Sequence, residues 1–331
     1  MISLIKNYII IYKLNRPFHA TWLTVPTVIA GGMAANESIN PGIFLLFISF
    51  AWLTTNIGNF INDYYDSDSD VMGRPNAPLA SGVISRDLAR SVLIVEYLIS
   101  CLLLFFIVLA TGSLLLFILG IMPIICTYVY SVPPFKTKDK GAAGPLTISI
   151  AYMFVTLGGW ALASELNLEA IELGLFFGIL MLGIGFSKDF MHIEADRGFS
   201  NTPPIAYGVR RTAIIAAISL TVPIIFNKFF IKMPASDEFL LAIPLMFAVI
   251  AIFFMIKKPE AKNRNIVMSA FLVYLNAVFI IIYVSANMPA ALILSIMVST
   301  VISIKTWAAG RKFEIVKIKD QQIWHYLIIR I

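Results

Sequence analysis

The stretch PGIFLLFISFAWLTTNIGNFINDYYDSDSD, residues 41–70, runs from an apolar segment straight into an acidic cluster. Residues 41–62 are enough to cross a bilayer, which takes about 20 mostly apolar residues of helix. Asn62, Asp63, Asp66 and Asp70 close the stretch. The three acids stand at i, i+3 and i+7, and on a helix turning roughly 100° per residue they share one face over about 10 Å. Carboxylates placed this closely repel one another unless a cation lies between them. Oxygen ligands of this kind call for a hard divalent ion, Mg²⁺ in the usual case. The plain alternative is a solvated Ser-rich loop, but three acids on one face at the end of an apolar helix are costly without a cation. Asp68 falls off that face and is expected to be solvated.

The same spacing returns as Asp189-x-x-His192-x-x-x-Asp196. Two such faces turned towards each other would form a cage for something more negative still, such as a diphosphate. His192 lies between two acids, and neutral imidazole is a poor Mg²⁺ ligand. Its other openings are a bond to the diphosphate or removal of a proton from an acceptor.

The rest of the chain is membrane-like. Of 331 residues, 59% are hydrophobic and 13% charged, where a soluble domain would have about 25% charged. Ten apolar segments are candidate spans: about 17–36, 41–62, 87–110, 112–131, 143–163, 170–191, 209–229, 239–256, 266–286 and 288–305. With the N-terminus inside, the inner loops collect nearly every Lys and Arg, and Glu37, Glu165, Glu169, Glu172, Asp237 and Glu238 fall outside. This positive-inside pattern puts both termini and both acidic clusters on the cytoplasmic side. It also accounts for the sequence pI of about 9.2 without nucleic acid as a partner. The Tyr8–Tyr12 stretch reads as an interfacial helix rather than a leader. Cys101 and Cys126 lie in apolar runs and read as small buried hydrophobes.

The loop Tyr130-Ser131-Val132-Pro133-Pro134-Phe135-Lys136-Thr137-Lys138-Asp139-Lys140-Gly141 carries three lysines. They serve either as topological charge or, for one or two of them, as partners of a diphosphate. Arg74 invites the same two readings. Glu96, in the middle of the third span, is an intramembrane acid that serves either function or a helix–helix bond.

Together, Asn62–Asp70, Arg74-Pro75-x-x-Pro78-Leu79-x-Ser81-Gly82, Tyr130-Ser131-x-Pro133-Pro134 and Lys188-Asp189…Glu194-x-Asp196-Arg197 resemble the UbiA-type intramembrane prenyltransferase superfamily, over roughly residues 10–290. Within it, the second motif and Thr202-Pro203-Pro204-Ile205 resemble the digeranylgeranylglyceryl phosphate synthase and chlorophyll synthase branches. The sequence departs from the pattern at His192, often acidic there, at Ala195 for Gly, at Ala77 for Arg and at Pro145 for Asn. A tenth span and a basic tail extend beyond the family core.

The resemblance implies an all-α polytopic membrane bundle of nine to ten transmembrane helices around a central cavity. Residues 1–306 would form the transferase domain, in two pseudo-repeated halves of about 1–165 and 166–306, and 307–331 a basic cytoplasmic tail. It implies transfer of a polyprenyl group, geranylgeranyl by preference, from its diphosphate to a lipophilic acceptor. The first-choice acceptor is a glyceryl-phosphate lipid hydroxyl, with an aromatic, quinone or tetrapyrrole acceptor as the alternative. Two Mg²⁺ ions are expected, one on Asp63, Asp66, Asp70 and Asn62, the other on Asp189 and Asp196. Asn62, Arg74, Tyr130, Lys136, Lys138 and Lys188 would hold the diphosphate, and His192 joins the acids as a catalytic candidate. More distant readings are a membrane terpene cyclase or diphosphate hydrolase, and an ion-coupled transporter. Transport sites usually lie near the midplane on broken helices, whereas these acids gather at one face.

Overall fold

The computed structural model describes residues 23–35, 37–73 and 77–225, together with positions 245, 246, 249, 252, 253 and 257. Among these residues nine α-helices follow one another: α1 (Val25–Ala34), α2 (Pro41–Gly73), α3 (Arg86–Thr111), α4 (Leu114–Ser131), α5 (Ala143–Ala161), α6 (Leu168–Lys188), and the short α7 (Ile193–Asp196) and α8 (Pro203–Tyr207) before α9 (Val209–Ile225). Among the described residues there is no β-strand, only an isolated bridge between Lys140 and Asn201. Among the described residues, five segments are long and apolar enough to cross a membrane: Pro41–Asp68 of α2, then α3, α4, α5 and α6. The spans expected at 239–256, 266–286 and 288–305 fall almost wholly outside the described residues, as does the tail.

Side-chain oxygens start these helices where the sequence changes character. Ser85, Ser113 and Asn167 sit at the first residue before α3, α4 and α6, and accept from the backbone N–H of Leu88, Leu116 and Ala170. Each satisfies an amide that the helix itself leaves unpaired. The helix faces then sort by surroundings. On α3 only 22% of the span is buried, against 67% on α6. Val95, Leu98, Leu102, Phe105, Phe106 and Leu109 of α3 all point outwards. An outer surface so uniformly apolar is stable against lipid, not water. α6 is the central helix, with Phe176, Phe177 and Leu180 packed among Leu157 and Trp160 of α5 and Leu220 and Ile224 of α9.

In lipid, close packing and interhelical hydrogen bonds replace hydrophobic burial as the glue between helices. Thr54 of α2 meets Ser100 of α3 at 2.7 Å, Thr24 meets Thr55 at 2.8 Å, and Ser149 of α5 donates to the Gly178 carbonyl of α6 at 2.7 Å. Each such bond is worth about 0.6 kcal/mol. Gly159 lets α1 and α5 cross at backbone distance, since a Cβ there would lie 2.3 Å from the Val28 carbonyl oxygen. Neither backbone can yield, so Gly159→Val is expected to destabilise the protein by about 3 kcal/mol or more. Thermal unfolding in detergent checks this, and a variant melting with the wild type would contradict so close a crossing.

Candidate active site

Helix α2 supplies the first half of the site. Its 33 residues make about 50 Å of helix against about 30 Å of hydrocarbon. The acidic end is therefore helix that has outrun the membrane. No Gly or Pro interrupts the chain between Gly58 and Gly73, so Asp63, Asp66 and Asp70 keep one face, as their spacing requires. Asp63 is buried, Asp66, Asp70 and Asn62 are half-buried. Asp68, off that face, is exposed and pairs with Arg86 at 2.8 Å.

The loop between α4 and α5 brings cations onto that face. Lys138 Nζ donates to Asn62 Oδ1 at 2.9 Å and to Asp66 Oδ2, and the lysine is 8% exposed. Lys136 Nζ lies 3.6 Å from Asp66 Oδ1 and 2.8 Å from Asp139 Oδ2. Burial drives the Lys138 ammonium below its ordinary pKa, with Asp66 restoring part of it. Burial works the same way on Lys136, but Asp139 and Asp66 outweigh it and leave that pKa raised. Lys136 also holds a left-handed backbone, φ 35°, at a cost of about 1–2 kcal/mol. Lys140 turns away to the Pro134 carbonyl at 3.0 Å.

The second half of the site is fastened to the same loop. Ser200 donates to Asp139 at 2.7 Å, Gly141 N–H to the Asn201 carbonyl at 2.8 Å, and Ala142 N–H to the Tyr207 hydroxyl at 3.0 Å. Gly141 has φ +55°, and a Cβ there would meet the Tyr207 hydroxyl at 2.5 Å. At the end of α6, Lys188 Nζ pairs with buried Asp189 at 2.8 Å and lies over the Tyr130 ring at 5.4 Å.

The second cluster does not lie on a regular helix, because α6 tightens at Asp189 into a 3₁₀ turn through His192 before α7 begins. In a 3₁₀ turn i and i+3 eclipse, so the change of helix type does not break the i, i+3 spacing of the cluster. The two clusters converge. Burial first, then the charges of Asp189 and Asp66, push the Asp196 carboxyl up to about 6, with Lys188 and Lys138 opposing. Asp196 thus feels an acid from each cluster and a lysine beside each. Arg74 lies outside the described residues, as does the side chain of His192. Glu96 is half-buried on α3.

Two residues escaped the sequence reading. Asp139 joins Lys136 to Ser200, and nothing local distinguishes it from a solvated loop acid. Asn56 was legible, standing seven positions before Asp63, the interval that separates Asp63 from Asp70. It continues the acidic face about 10 Å deeper, is fully buried, and neither atom of its carboxamide has a hydrogen-bond partner among the described residues.

Among the described residues, no three His, Cys, Asp or Glu groups form a ready-made metal cage. The donors are all oxygens, the set a hard divalent cation takes. A cation, the Lys138 ammonium, already stands between Asn62 and Asp66. By donor type and by this stand-in, the residues fit Mg²⁺. A testable consequence follows for the metal-free protein. A carboxyl with a raised pKa favours the fold below its unfolded value, near 4, and that contribution is lost as pH rises through about 6. In EDTA at pH 7.5, Asp196→Asn is therefore expected to melt a few degrees above wild type, with the gap closing at pH 4. An equal melting point at both pH values would contradict the crowding of these carboxyls.

Membrane-length helices carrying two converging acidic segments, bound together by a lysine loop, define a polytopic membrane enzyme. The chain belongs to the UbiA prenyltransferase family, whose sequence model matches residues 23–280. It is 29% identical over 209 residues to the digeranylgeranylglyceryl phosphate synthase of Methanosphaera stadtmanae, covering 62% of this chain and 72% of that one. It is 27% identical over 230 residues to the chloroplastic chlorophyll synthase of Oryza sativa subsp. japonica, covering 63% of this chain and 58% of that one. The chain thus spans less than two thirds of the plant enzyme. In fold it is similar to a solved digeranylgeranylglyceryl phosphate synthase, with a TM-score of 0.65 at 21% identity over 86% of this chain and 99% of that one. It is also similar to a UbiA homologue from Archaeoglobus fulgidus bound to GPP and Mg²⁺, with a TM-score of 0.61 at 16% identity, over 82% of this chain and 99% of that one.

Proposed function

We propose that the protein transfers a polyprenyl group, geranylgeranyl by preference, from its diphosphate to the hydroxyl of a glyceryl-phosphate lipid, with Mg²⁺. The observation that carries this reading is the convergence of Asp66, Asp189 and Asp196 with Lys138 and Lys188. Asp63, Asp66, Asp70 and Asn62 would hold one ion, and Asp189 and Asp196 the other. When bound, Mg²⁺ supplies positive charge to the diphosphate oxygens. Lys136, Lys138, Lys188, Arg74 and the Tyr130 hydroxyl then cradle the diphosphate. Lys138 leaves Asp66 as the ligand arrives, so a carboxylate and an ammonium exchange partners without exposing either to the apolar bundle.

In the reaction the allylic C1–O bond breaks, and the diphosphate departs with the electron pair. The acceptor oxygen bonds to C1 and gives up its proton to a base, for which His192 is the candidate by chemistry. The prenyl chain lies in the apolar bundle below Asn56, where water is excluded from the carbocation. On this reading residues 1–306 form the transferase domain in two halves, each ending a span in an acidic segment, and 307–331 a basic tail. The bundle has nine to ten spans, with the acids and both termini facing the cytoplasm. Support for that orientation comes from the basic residues gathered at the acidic end, and from Ser164 donating to Glu37 at 3.0 Å between loops of the opposite end.

Membranes containing the protein, supplied with Mg²⁺, labelled geranylgeranyl diphosphate and a panel of acceptors, test the assignment. Label is expected in the prenylated glyceryl-phosphate lipid, with EDTA abolishing it. Product formed only with a tetrapyrrole would overturn the lipid acceptor in favour of the reading that the chlorophyll synthase likeness favours. Release of free prenyl alcohol regardless of acceptor would replace transfer by hydrolysis.

A further inference from the structure

A cavity lies on the side of α2 away from the acids. Its volume is about 550 Å³, and its walls include Tyr64, Tyr65, Arg86, Arg90, Tyr97 and Tyr128. On α2 its residues Ile61, Tyr64 and Tyr65 share a face with Asp68, at i, i+3, i+4 and i+7, turned away from Asp63 and Asp70. The groove thus opens on the face of α2 opposite the acids.

Its polar and apolar parts are ordered along its length. Arg86 and Arg90 stand one turn apart on α3 and form one end. Tyr97 lies eleven residues from Arg86, about 16 Å further along the helix. Between them the floor is Leu93 and Ile94, and Ile94 is 52% exposed on the helix that faces lipid. The guanidinium of Arg86 sits 5.4 Å over the Tyr64 ring, Tyr64 and Tyr65 pack edge to face at 5.2 Å, and the Tyr97 hydroxyl meets Thr127 at 3.1 Å. Arg86 is shared with Asp68 in an exposed pair, a contact water readily weakens. Arg90 has no ion-pair partner among the described residues. Arginines at the end of a span are the common topological signal. A pair set at the mouth of an aromatic groove that opens sideways to the bilayer is a different arrangement, with guanidinium donors for a phosphate and a channel for a chain.

We infer that this groove binds an anionic phospholipid of the surrounding leaflet, its phosphate on Arg86 and Arg90 and an acyl chain along Leu93, Ile94 and Tyr97. The bound lipid braces the outer face of α2, whose inner face carries the acids. The inference does not rest on the transfer reaction or on its acceptor.

The test uses the full chain in nanodiscs of phosphatidylcholine, with and without phosphatidylglycerol, read by lipid-dependent thermal unfolding and by native mass spectrometry of retained lipid. Phosphatidylglycerol is expected to raise the melting temperature and to remain bound. Arg86→Gln and Arg90→Gln should each weaken retention about fivefold, as one basic contact to an anionic lipid predicts, and the double variant should lose the melting shift. Arg211→Gln, an exposed arginine on α9 outside the groove, should behave as wild type. An equal loss in Arg211→Gln would overturn the site in favour of general surface charge. A melting shift from inorganic phosphate as large as that from the lipid would overturn the lipid as the ligand, and unchanged retention in the double variant would overturn the groove itself.

Discussion

Asp63→Asn is expected to lower kcat by about 10³-fold or more, with the folded protein retained. Asp63 is buried at the start of the acidic face, where the apolar run of α2 ends. An amide there keeps the shape and one oxygen donor but removes the charge that draws a cation to the site. Asp189→Asn, at the matching end of α6, should fall by a similar factor, and it also strips Lys188 of its partner at 2.8 Å. Single-turnover assays with labelled donor separate the reaction step from product release, and unfolding curves check that each variant folds. Full activity in either variant would sink the two-cluster mechanism. Loss in Asp63→Asn with normal activity in Asp189→Asn would reduce the site to one cluster.

Lys138→Gln is the second large effect, and it should move stability and activity in ways that a passive topological charge would not. Removing one partner of a buried pair costs about 3–5 kcal/mol. Asp66 keeps Lys136 at 3.6 Å, so a loss at the lower end, about 3 kcal/mol, is expected in EDTA. The vacated oxygens of Asp66 and Asn62 then become free for a divalent ion. Mg²⁺ should therefore stabilise the variant more than it stabilises wild type, where it must first displace the ammonium. Turnover should still drop by about 10²-fold, because the diphosphate loses a donor that follows it into the transition state. Equal Mg²⁺ shifts in both proteins would refute the exchange of partners, and unchanged turnover would return Lys138 to a topological role.

Much of the architecture was legible because lipid imposes a length and a polarity on every span. The segments expected at 87–110, 112–131 and 143–163 are α3, α4 and α5 to within two residues. The second span, expected at 41–62, goes on as the helix that the one-face spacing of Asp63, Asp66 and Asp70 requires. The apolar run ends at residue 62, but the helix continues to Gly73, because polar residues do not stop a helix that lacks Gly or Pro. The reverse happened at Asp189, where apolar periodicity continues but the backbone tightens to 3₁₀. That change depends on how the last turn of α6 satisfies its amides and carbonyls, which no residue pattern announces.

The sequence by itself determined the acid face of α2, since a helix converts spacing i, i+3, i+7 into direction without help from the rest of the chain. It also showed a second cluster of the same spacing, expected at the same side of the membrane as the first. Only the tertiary structure decided how three lysines in one loop divide their work. Lys136, Lys138 and Lys140 are equivalent in the sequence. The left-handed turn at Lys136 and the 3₁₀ turn at Thr137–Asp139 aim Lys138 at Asn62 and Asp66, tie Lys136 to Asp139, and leave Lys140 on the Pro134 carbonyl. Contacts spanning more than seventy residues, such as Lys138 with Asn62, arise from loop geometry and helix packing together, and a chain read one residue at a time holds neither.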